Sequence, residues 1–411
     1  MEKYDVIILG GGAAGMAAAI TAAKLGSQTA LLEHMPRVGK KILSTGNGKC
    51  NITNTNLDSS FYRSEDEGFV SCVLNEFSHK DTLDFFEKIG IMTYEKDGYV
   101  YPMSNQASSV LDALRFAMEE ESVCVYEDIF VSSMENKSGT WVLNTKKTNF
   151  SADKIIFALG GLSAPKTGSD GCGYFLIKSL GHKINKPLPA LCPLVCEESF
   201  YKSISGVRTD AKIKLFSNDK LLSSDIGQLQ LTNYGISGIP VFQVSRFASY
   251  ALSRNEKVYA EIDFAPLYSE DELKEALENI MKNNPKRRMK DALNGIFNKK
   301  LAELFLKLTK IDVNALAETV SGEKTDKLYK IIKSFRTNII STGDFEAAQV
   351  TAGGVSISEI NPKSMESKLH KGIYFAGEMI DVDGKCGGYN LQWAWATGNI
   401  AARAASGGNN A

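Results

Sequence analysis

The stretch Asp5-Val-Ile-Ile-Leu-Gly-Gly-Gly-Ala-Ala-Gly15 decides the fold. Asp5–Leu9 reads as a buried parallel strand: short, branched, apolar and followed at once by glycines. Ala13–Leu25 is alanine-rich and stops before Gly26, which predicts a helix with a glycine just past its end. Thr29–Glu33 is a second buried strand, so the chain opens with the βαβ unit of a doubly wound sheet. Gly10, Gly12 and Gly15 form a G-x-G-x-x-G between strand and helix. Gly10 permits the tight turn, Gly12 lets a pyrophosphate approach the backbone, and Gly15 lets helix and strand pack closely. The N–H groups at Ala13 and Ala14 and the helix dipole favour phosphate there. Glu33, 18 residues after Gly15, stands where a carboxylate accepts hydrogen bonds from ribose hydroxyls. A ligand-free glycine turn would leave this strand–turn–helix–strand–acid order unexplained.

The opening unit does not choose between FAD and a nicotinamide dinucleotide; the other end of the chain does. Gly372-Ile-Tyr-Phe-Ala-Gly-Glu378 resembles the second signature of FAD enzymes, a strand ending in Gly-Asp, here Gly377-Glu378, and the resemblance implies an acid that accepts a hydrogen bond from the ribityl chain. Gly387-Gly-Tyr-Asn390 then opens a final helix, about Asn390 to Ala405. A helix N-terminus aimed at a flavin pyrimidine would stabilise negative charge on the reduced ring.

Between these ends the pattern changes twice. Gly39–Asn54 is rich in Gly, Lys, Asn and Thr, a functional loop rather than a regular element. Ser108–Glu120 has helical spacing; Val123–Tyr126 and Trp141–Asn144 read as strands. Lys154–Gly161 reads as a buried strand running into the turn Gly160-Gly161. Residues 191–265 alternate like antiparallel strands. Residues 270–335 are helical, with Leu301, Leu304, Phe305 and Leu308 at core spacing. The order is α/β, then β-rich and helical, then α/β again. That predicts a Rossmann-like dinucleotide domain built from both chain ends, 1–190 with 343–405. A β-rich insertion follows at 191–268 with 336–342, then a helical subdomain at 269–335 and a flexible tail at 406–411.

At this point the residues resemble a known group. The Gly10–Gly15 motif, Gly39-Lys-Lys-Ile-Leu-Ser-Thr-Gly-Asn-Gly-Lys-Cys-Asn-Ile-Thr-Asn54, Thr167-Gly-Ser-Asp-Gly171, Thr351-Ala-Gly-Gly-Val355 and Ala376–Gln392 are similar to bacterial flavoproteins of two kinds. These are aminoacetone-oxidase-like and 3-dehydro-bile-acid-reductase-like proteins of the two-dinucleotide-binding-domain superfamily. Lys49 stands where Arg is expected, and Cys386 where Thr or Ser is common. The resemblance implies an FAD-binding domain, an inserted β-barrel-like domain and a helical subdomain. It also implies non-covalent FAD, with NAD(P)H as a possible donor.

With this resemblance, the expected cofactor-binding set is Gly10, Gly12, Ala13, Ala14, Gly15, Glu33, Lys40, Lys41, Asn47, Gly48, Cys50, Asn51, Gly160, Gly161, Gly377, Glu378, Gly387, Gly388, Tyr389 and Asn390. Lys40, Lys41 and Lys49 offer charge to the pyrophosphate or to an anionic reduced flavin. Asn47 and Asn51 suit the flavin ring edge. No catalytic residue is assigned. Cys50 and Tyr389 are weak candidates, set against the plainer reading of a packed thiol and a packed ring. Thr55 occupies the position a C-x4-C partner of Cys50 would need, which disfavours a redox dithiol. His182 and His370 read as structural, and no second G-x-G-x-x-G follows a strand to suggest a dedicated nicotinamide domain.

Composition bounds the rest. Formal net charge is -1, so no global field draws nucleic acid or an anionic membrane. The four histidines argue against a His-built metal centre, and no metal is expected. Seven scattered cysteines, an odd number, fit a reducing compartment. Cys192 and Cys196 form C-x3-C without a second pair, and unreactive thiols explain them better than a zinc site. Val6–Ala23 is uncharged but glycine-broken, so the chain reads as cytoplasmic, without a membrane partner. Lys286, Arg287, Arg288 and Lys290 read as a solvated helix face rather than an RNA surface. Three functions remain, in this order. The first is NAD(P)H-dependent reduction of a conjugated double bond in an apolar, steroid- or bile-acid-like small molecule. The second is oxidation of small amines such as aminoacetone. The third is a non-catalytic or RNA-associated flavoprotein.

Overall fold

The computed structural model describes residues 1–407; of the expected tail, residues 408–411 lie outside the described residues. Backbone contacts divide the chain into two units, Met1–Leu188 with the segment from Gln349 onward, and Pro189–Ala348. The first unit begins with β1 (Glu2–Leu9), α1 (Ala13–Lys24) and β2 (Thr29–Leu32). It continues with α2 (Ala107–Glu120), β3 (Cys124–Tyr126), β4 (Val131–Lys137), β5 (Thr140–Thr145) and β6 (Phe150–Phe157). These strands lie in the order β3–β2–β1–β6–β5–β4. The first four are parallel and the β4–β5–β6 edge is antiparallel. Leu9 sits opposite both Leu32 and Phe157. Three strands therefore end level, and the loops starting at Gly10, Glu33 and Ala158 open on one edge of the sheet, where parallel sheets bind ligands. Val6–Leu9 is buried throughout because helices cover both faces of such a sheet.

The second unit carries β7 (Leu194–Cys196), β8 (Arg208–Ser217), β9 (Lys220–Leu231), β10 (Gly235–Gly238), α3 (Ile239–Ser253) and β11 (Val258–Asp263). After them come α4 (Glu270–Asn283), α5 (Met289–Leu293), α6 (Lys299–Leu308), α7 (Gly322–Lys333) and β12 (Phe335–Thr342). The strands close into a six-stranded barrel in the order β7–β10–β9–β8–β11–β12. Alternation drives it: Ala211, Ile213 and Leu215 of β8 point inward and are fully buried, while Lys212 lies outside. One correction concerns α3, a 15-residue helix inside the β-rich segment whose pattern predicts antiparallel strands. Its buried face, Val241, Val244, Ser245, Ala248 and Ala251, has helical spacing, and Pro240 sits in its first turn. The glycines leading into it masked that signal. Leu301, Leu304 and Phe305 of α6 are buried, but Leu308 at the helix end is 40% exposed. The basic run lies in the connection before α5 and at its start rather than along a helix face; Lys286, Arg287 and Arg288 are exposed.

On its return the chain adds β13 (Ile373–Phe375) and α8 (Tyr389–Ala405) to the first unit. β13 pairs in parallel with Ile155–Phe157 of β6, while Phe150–Ala152 of the same strand pairs with β5. The helices α1 and α8 touch backbone to backbone. A Cβ on Gly398 would stand 2.4 Å from the Ala14 carbonyl oxygen, so only glycine permits this approach. Among the described residues no helix is long and apolar enough to cross a membrane.

Candidate functional site

At the level edge of the sheet lies a cleft of about 1050 Å³, part of it open to solvent. This is at the upper end of the roughly 300–1,000 Å³ usual for ligand and cofactor sites. Its floor is the turn Gly10–Ala14. A Cβ on Gly10, where φ is +102°, would meet the Ala158 oxygen at 2.5 Å, and one on Gly15 would meet the Gly10 oxygen at 1.9 Å. Around Gly12, by contrast, there is nothing within 4 Å. Two glycines hold the turn together, and the third leaves open space above the first turn of α1. Gly12 caps that helix without any side-chain bond. The N–H groups of a first helical turn lack intrahelical acceptors, so this end presents donors and positive dipole to the cleft.

Glu33 closes one end. Its carboxylate accepts the Gly11 N–H at 2.7 Å and the Met35 N–H at 2.7 Å, and His34 Nδ1 lies 3.1 Å away. Burial pushes this carboxyl upward, but the His34 contact and the two backbone donors outweigh it and hold the group below its ordinary range. The result is a fixed anion with lone pairs to spare for hydroxyl donors. Across the cleft, Lys41 Nζ lies 2.6 Å from Glu378 Oε2, and Glu378 Oε1 accepts the Thr351 N–H at 2.8 Å. Lys40 Nζ donates to the Lys166 carbonyl at 3.2 Å. Both lysines thus reach the wall already engaged.

Of the expected residues, Gly10, Gly12, Ala13, Ala14, Glu33, Lys40, Lys41, Gly160, Gly377, Glu378 and Asn390 line this cleft. Gly15 stands behind it as packing. Gly161 also packs: a Cβ there would meet Thr351 Oγ1 at 2.4 Å. Asn47 and Gly48 are exposed on the kinked 3-10 segment Ile42–Gly48 and do not line the wall. Gly387 and Gly388, at φ +132° and +94°, fold the turn onto the strand Thr53–Asn54, where Asn54 Nδ2 donates to the Gly387 carbonyl at 3.0 Å. Asn51 is buried beside that turn with its Oδ1 unpartnered. Cys50 is fully buried, and burial pushes its thiol up to about 12. Tyr389 packs against Phe61 and Tyr62, and its hydroxyl donates to the Asn56 carbonyl at 3.1 Å. Burial pushes that phenol up to about 12. Neither is a ready acid or nucleophile.

Several wall residues were not anticipated: His34, Arg37, Thr45, Thr167–Ser169, Gln349, Val350 and Trp393. The segment Thr167–Gly171 carried family resemblance but no assigned role. Trp393 follows the glycine-rich opening of α8 by one turn, and only the packed helix turns it toward the cleft. Trp393 Nε1 and Ser169 Oγ are buried atoms of this wall without a hydrogen-bond partner, which a bound polar ligand would satisfy. An uncapped helix end for phosphate, a carboxylate for ribose hydroxyls and unpartnered donors farther along form a set that fits FAD.

A sequence profile for the HI0933-like protein Rossmann domain matches residues 4–404. The chain is 40% identical over 401 residues to the 3-dehydro-bile acid Δ(4,6)-reductase of Clostridium scindens, covering 97% of this chain and 98% of that one. It is 30% identical to the ribosomal RNA dihydrouridine synthase of Haemophilus influenzae, covering 97% of each chain, and 28% identical to that of Escherichia coli, covering 97% and 96%. The solved 3-ketosteroid Δ1-dehydrogenase of Sterolibacterium denitrificans shares the fold at 12% identity, with a TM-score of 0.52 and full coverage of both chains. With its profile running almost end to end and its cleft built for a dinucleotide, the chain belongs to the HI0933-like Rossmann family and is an FAD-dependent oxidoreductase.

Proposed function

We propose that this protein reduces a carbon–carbon double bond conjugated to a carbonyl in an apolar, steroid- or bile-acid-like acid, with NAD(P)H as donor. The observation that carries the reading is 40% identity across 97% of the chain to a 3-dehydro-bile acid Δ(4,6)-reductase. The chemistry extends to the more distant relatives, because making dihydrouridine also saturates a double bond beside a carbonyl. Bound FAD would supply the hydride relay between donor and acceptor. The chain's part is electrostatic and positional. The N-terminus of α1 would hold the central pyrophosphate and Glu33 the ribose of one half, and the Lys41–Glu378 pair brings no net charge to the opposite wall. Cys50 and Tyr389, both buried and protonated, are not assigned the proton that completes saturation, which in this reading comes from solvent.

A second reading, reduction of uridine in ribosomal RNA, is favoured by the 30% and 28% relatives. Against it stands the balance of 47 basic and 48 acidic residues, which offers no general attraction to phosphate. The test is an anaerobic titration of the FAD-loaded protein with NADH and NADPH, followed by 3-oxo-4,6-diene bile acids or by unmodified ribosomal RNA. Flavin bleaching by a nicotinamide and its reoxidation by the dienone support the first reading. Reoxidation by RNA alone would replace it with the second. Absence of bleaching by either nicotinamide, with bleaching by aminoacetone and peroxide once air is admitted, would replace both with an amine oxidase.

A further inference from the structure

A second group of side chains shares His34 with the wall of the cleft and extends away from it. His34 follows Glu33 at the end of β2, and Asp170 and Cys172 lie in the loop after Ser169. One ligating atom from each of the three lies within 4.8 Å of the others. His34 Nε2 is 3.7 Å from Asp170 Oδ2, and it is buried without a hydrogen-bond partner. A histidine nitrogen left bare inside a protein, facing a carboxylate and a thiol, lacks something. Nδ1 lies 3.1 Å from Glu33 Oε1, so a neutral ring that donates its Nδ1–H to this carboxylate turns the Nε2 lone pair to the group. Metal-binding histidines are oriented in the same way, by a carboxylate on the far nitrogen.

The geometry points to a divalent transition-metal site of the zinc type, with His34 Nε2, a carboxylate oxygen of Asp170 and the Cys172 sulfur as its three protein ligands and a water as the fourth. An imidazole nitrogen and a thiolate beside a single carboxylate oxygen suit zinc rather than calcium or magnesium, which take sets of oxygens. Tetrahedral bonds of about 2.0–2.3 Å separate ligand atoms by roughly 3.3–3.8 Å. The His34–Asp170 distance of 3.7 Å already fits, and no pair in the group stands more than about 1 Å beyond the upper end of that range. A movement of that size is available: Asp170 is 40% exposed, and its loop is flanked by Gly168 and Gly171, both at positive φ. Binding would transfer the Cys172 thiol proton to solvent. It would also pin the loop that forms the Thr167–Ser169 wall of the cleft to the end of β2. This departs from the expectation, drawn from four histidines, that no metal is bound.

The test uses the FAD-loaded full chain, stripped with a chelator and titrated with Zn2+ by calorimetry and with Co2+ by difference absorption. The expected result is one ion per chain and a thiolate–cobalt charge-transfer band that Zn2+ displaces. Cys172→Ser should abolish that band, and Asp170→Asn, a change at an exposed position, should weaken Zn2+ binding at least about tenfold. Far-UV dichroism and flavin content check that each variant folds. No saturable Zn2+ binding, or a band that survives in Cys172→Ser, would overturn the site.

Discussion

Gly12 and Gly15 belong to one motif but should fail in different ways when each gains a methyl group. At Gly15 the new Cβ would stand 1.9 Å from the Gly10 oxygen, and a comfortable carbon–oxygen contact is about 3.3 Å. The first turn of α1 must then retreat from β1 by about 1.4 Å. Overpacking of this kind costs roughly 1–3 kcal/mol, and the better helix propensity of alanine returns at most about 1 kcal/mol. Gly15→Ala should therefore lower apoprotein stability by about 1–2 kcal/mol. Gly12 is extended, with φ −82°, and has nothing within 4 Å. Alanine there should change stability by less than about 1 kcal/mol, the difference between two residues at a helix N-cap. What it obstructs is the approach of phosphate to the backbone. Losing a charge-assisted bond of about 1.5–3 kcal/mol weakens FAD binding roughly ten- to a hundredfold. Urea denaturation of the apoproteins and FAD titration by flavin fluorescence separate the two effects. If Gly12→Ala binds FAD as tightly as the wild type, the cleft does not cradle a pyrophosphate over Gly12 and the reasoning fails.

Three further outcomes follow from particular contacts. Cys50, fully buried with its thiol pushed up to about 12, should resist iodoacetamide in the native protein while exposed Cys124 reacts; comparable labelling of both would contradict the packing described. Gln392 is fully buried, accepts the Thr53 and Thr82 hydroxyls at 2.6 and 2.8 Å, and donates to the Phe77 carbonyl at 3.2 Å. Gln392→Leu strands those partners and should cost about 2–4 kcal/mol; a loss under about 0.5 kcal/mol in urea would show that the network carries little. Burial pulls the His182 pKa down, against the opposing pull of Glu359 2.8 Å away. The unfolded chain then binds more protons than the native one between the ordinary value near 6.5 and the depressed native value. Stability should fall as pH drops through that window, and His182→Gln should lose this part of the slope; equal slopes in both proteins would refute it.

Much of the nucleotide cradle was legible because its parts are neighbours in the chain. Strand, glycine turn, helix and acid fit within the first 33 residues, and each leaves a short-range pattern. The glycine-rich 376–392 segment was legible for the same reason. The helix α3 was legible in principle, since its buried positions have helical period, but Gly235 and Gly238 ahead of it suggested more strand. The wall formed by Thr167–Ser169, Gln349 and Trp393 left no comparable mark. Those residues are polar or aromatic at unremarkable spacing, and they become a wall only when distant segments meet.

From sequence alone came the elements with a local cause: the parallel strand Val6–Leu9, the helix after it, the alternation that builds the barrel, and the carboxylate at Glu33. Tertiary structure decided how the charges and thiols behave. Lys41 is neutralised by Glu378, 337 positions away, and nothing near either residue announces the pair. Cys50 sits in a polar, exposed-looking loop but is fully buried in the hydrophobic core of the first unit. His34 gains its bare nitrogen only where the Asp170–Cys172 loop comes to rest against the end of β2. Periodicity and capping act over a turn or a strand, whereas burial and charge pairing depend on which surfaces the folded chain presses together.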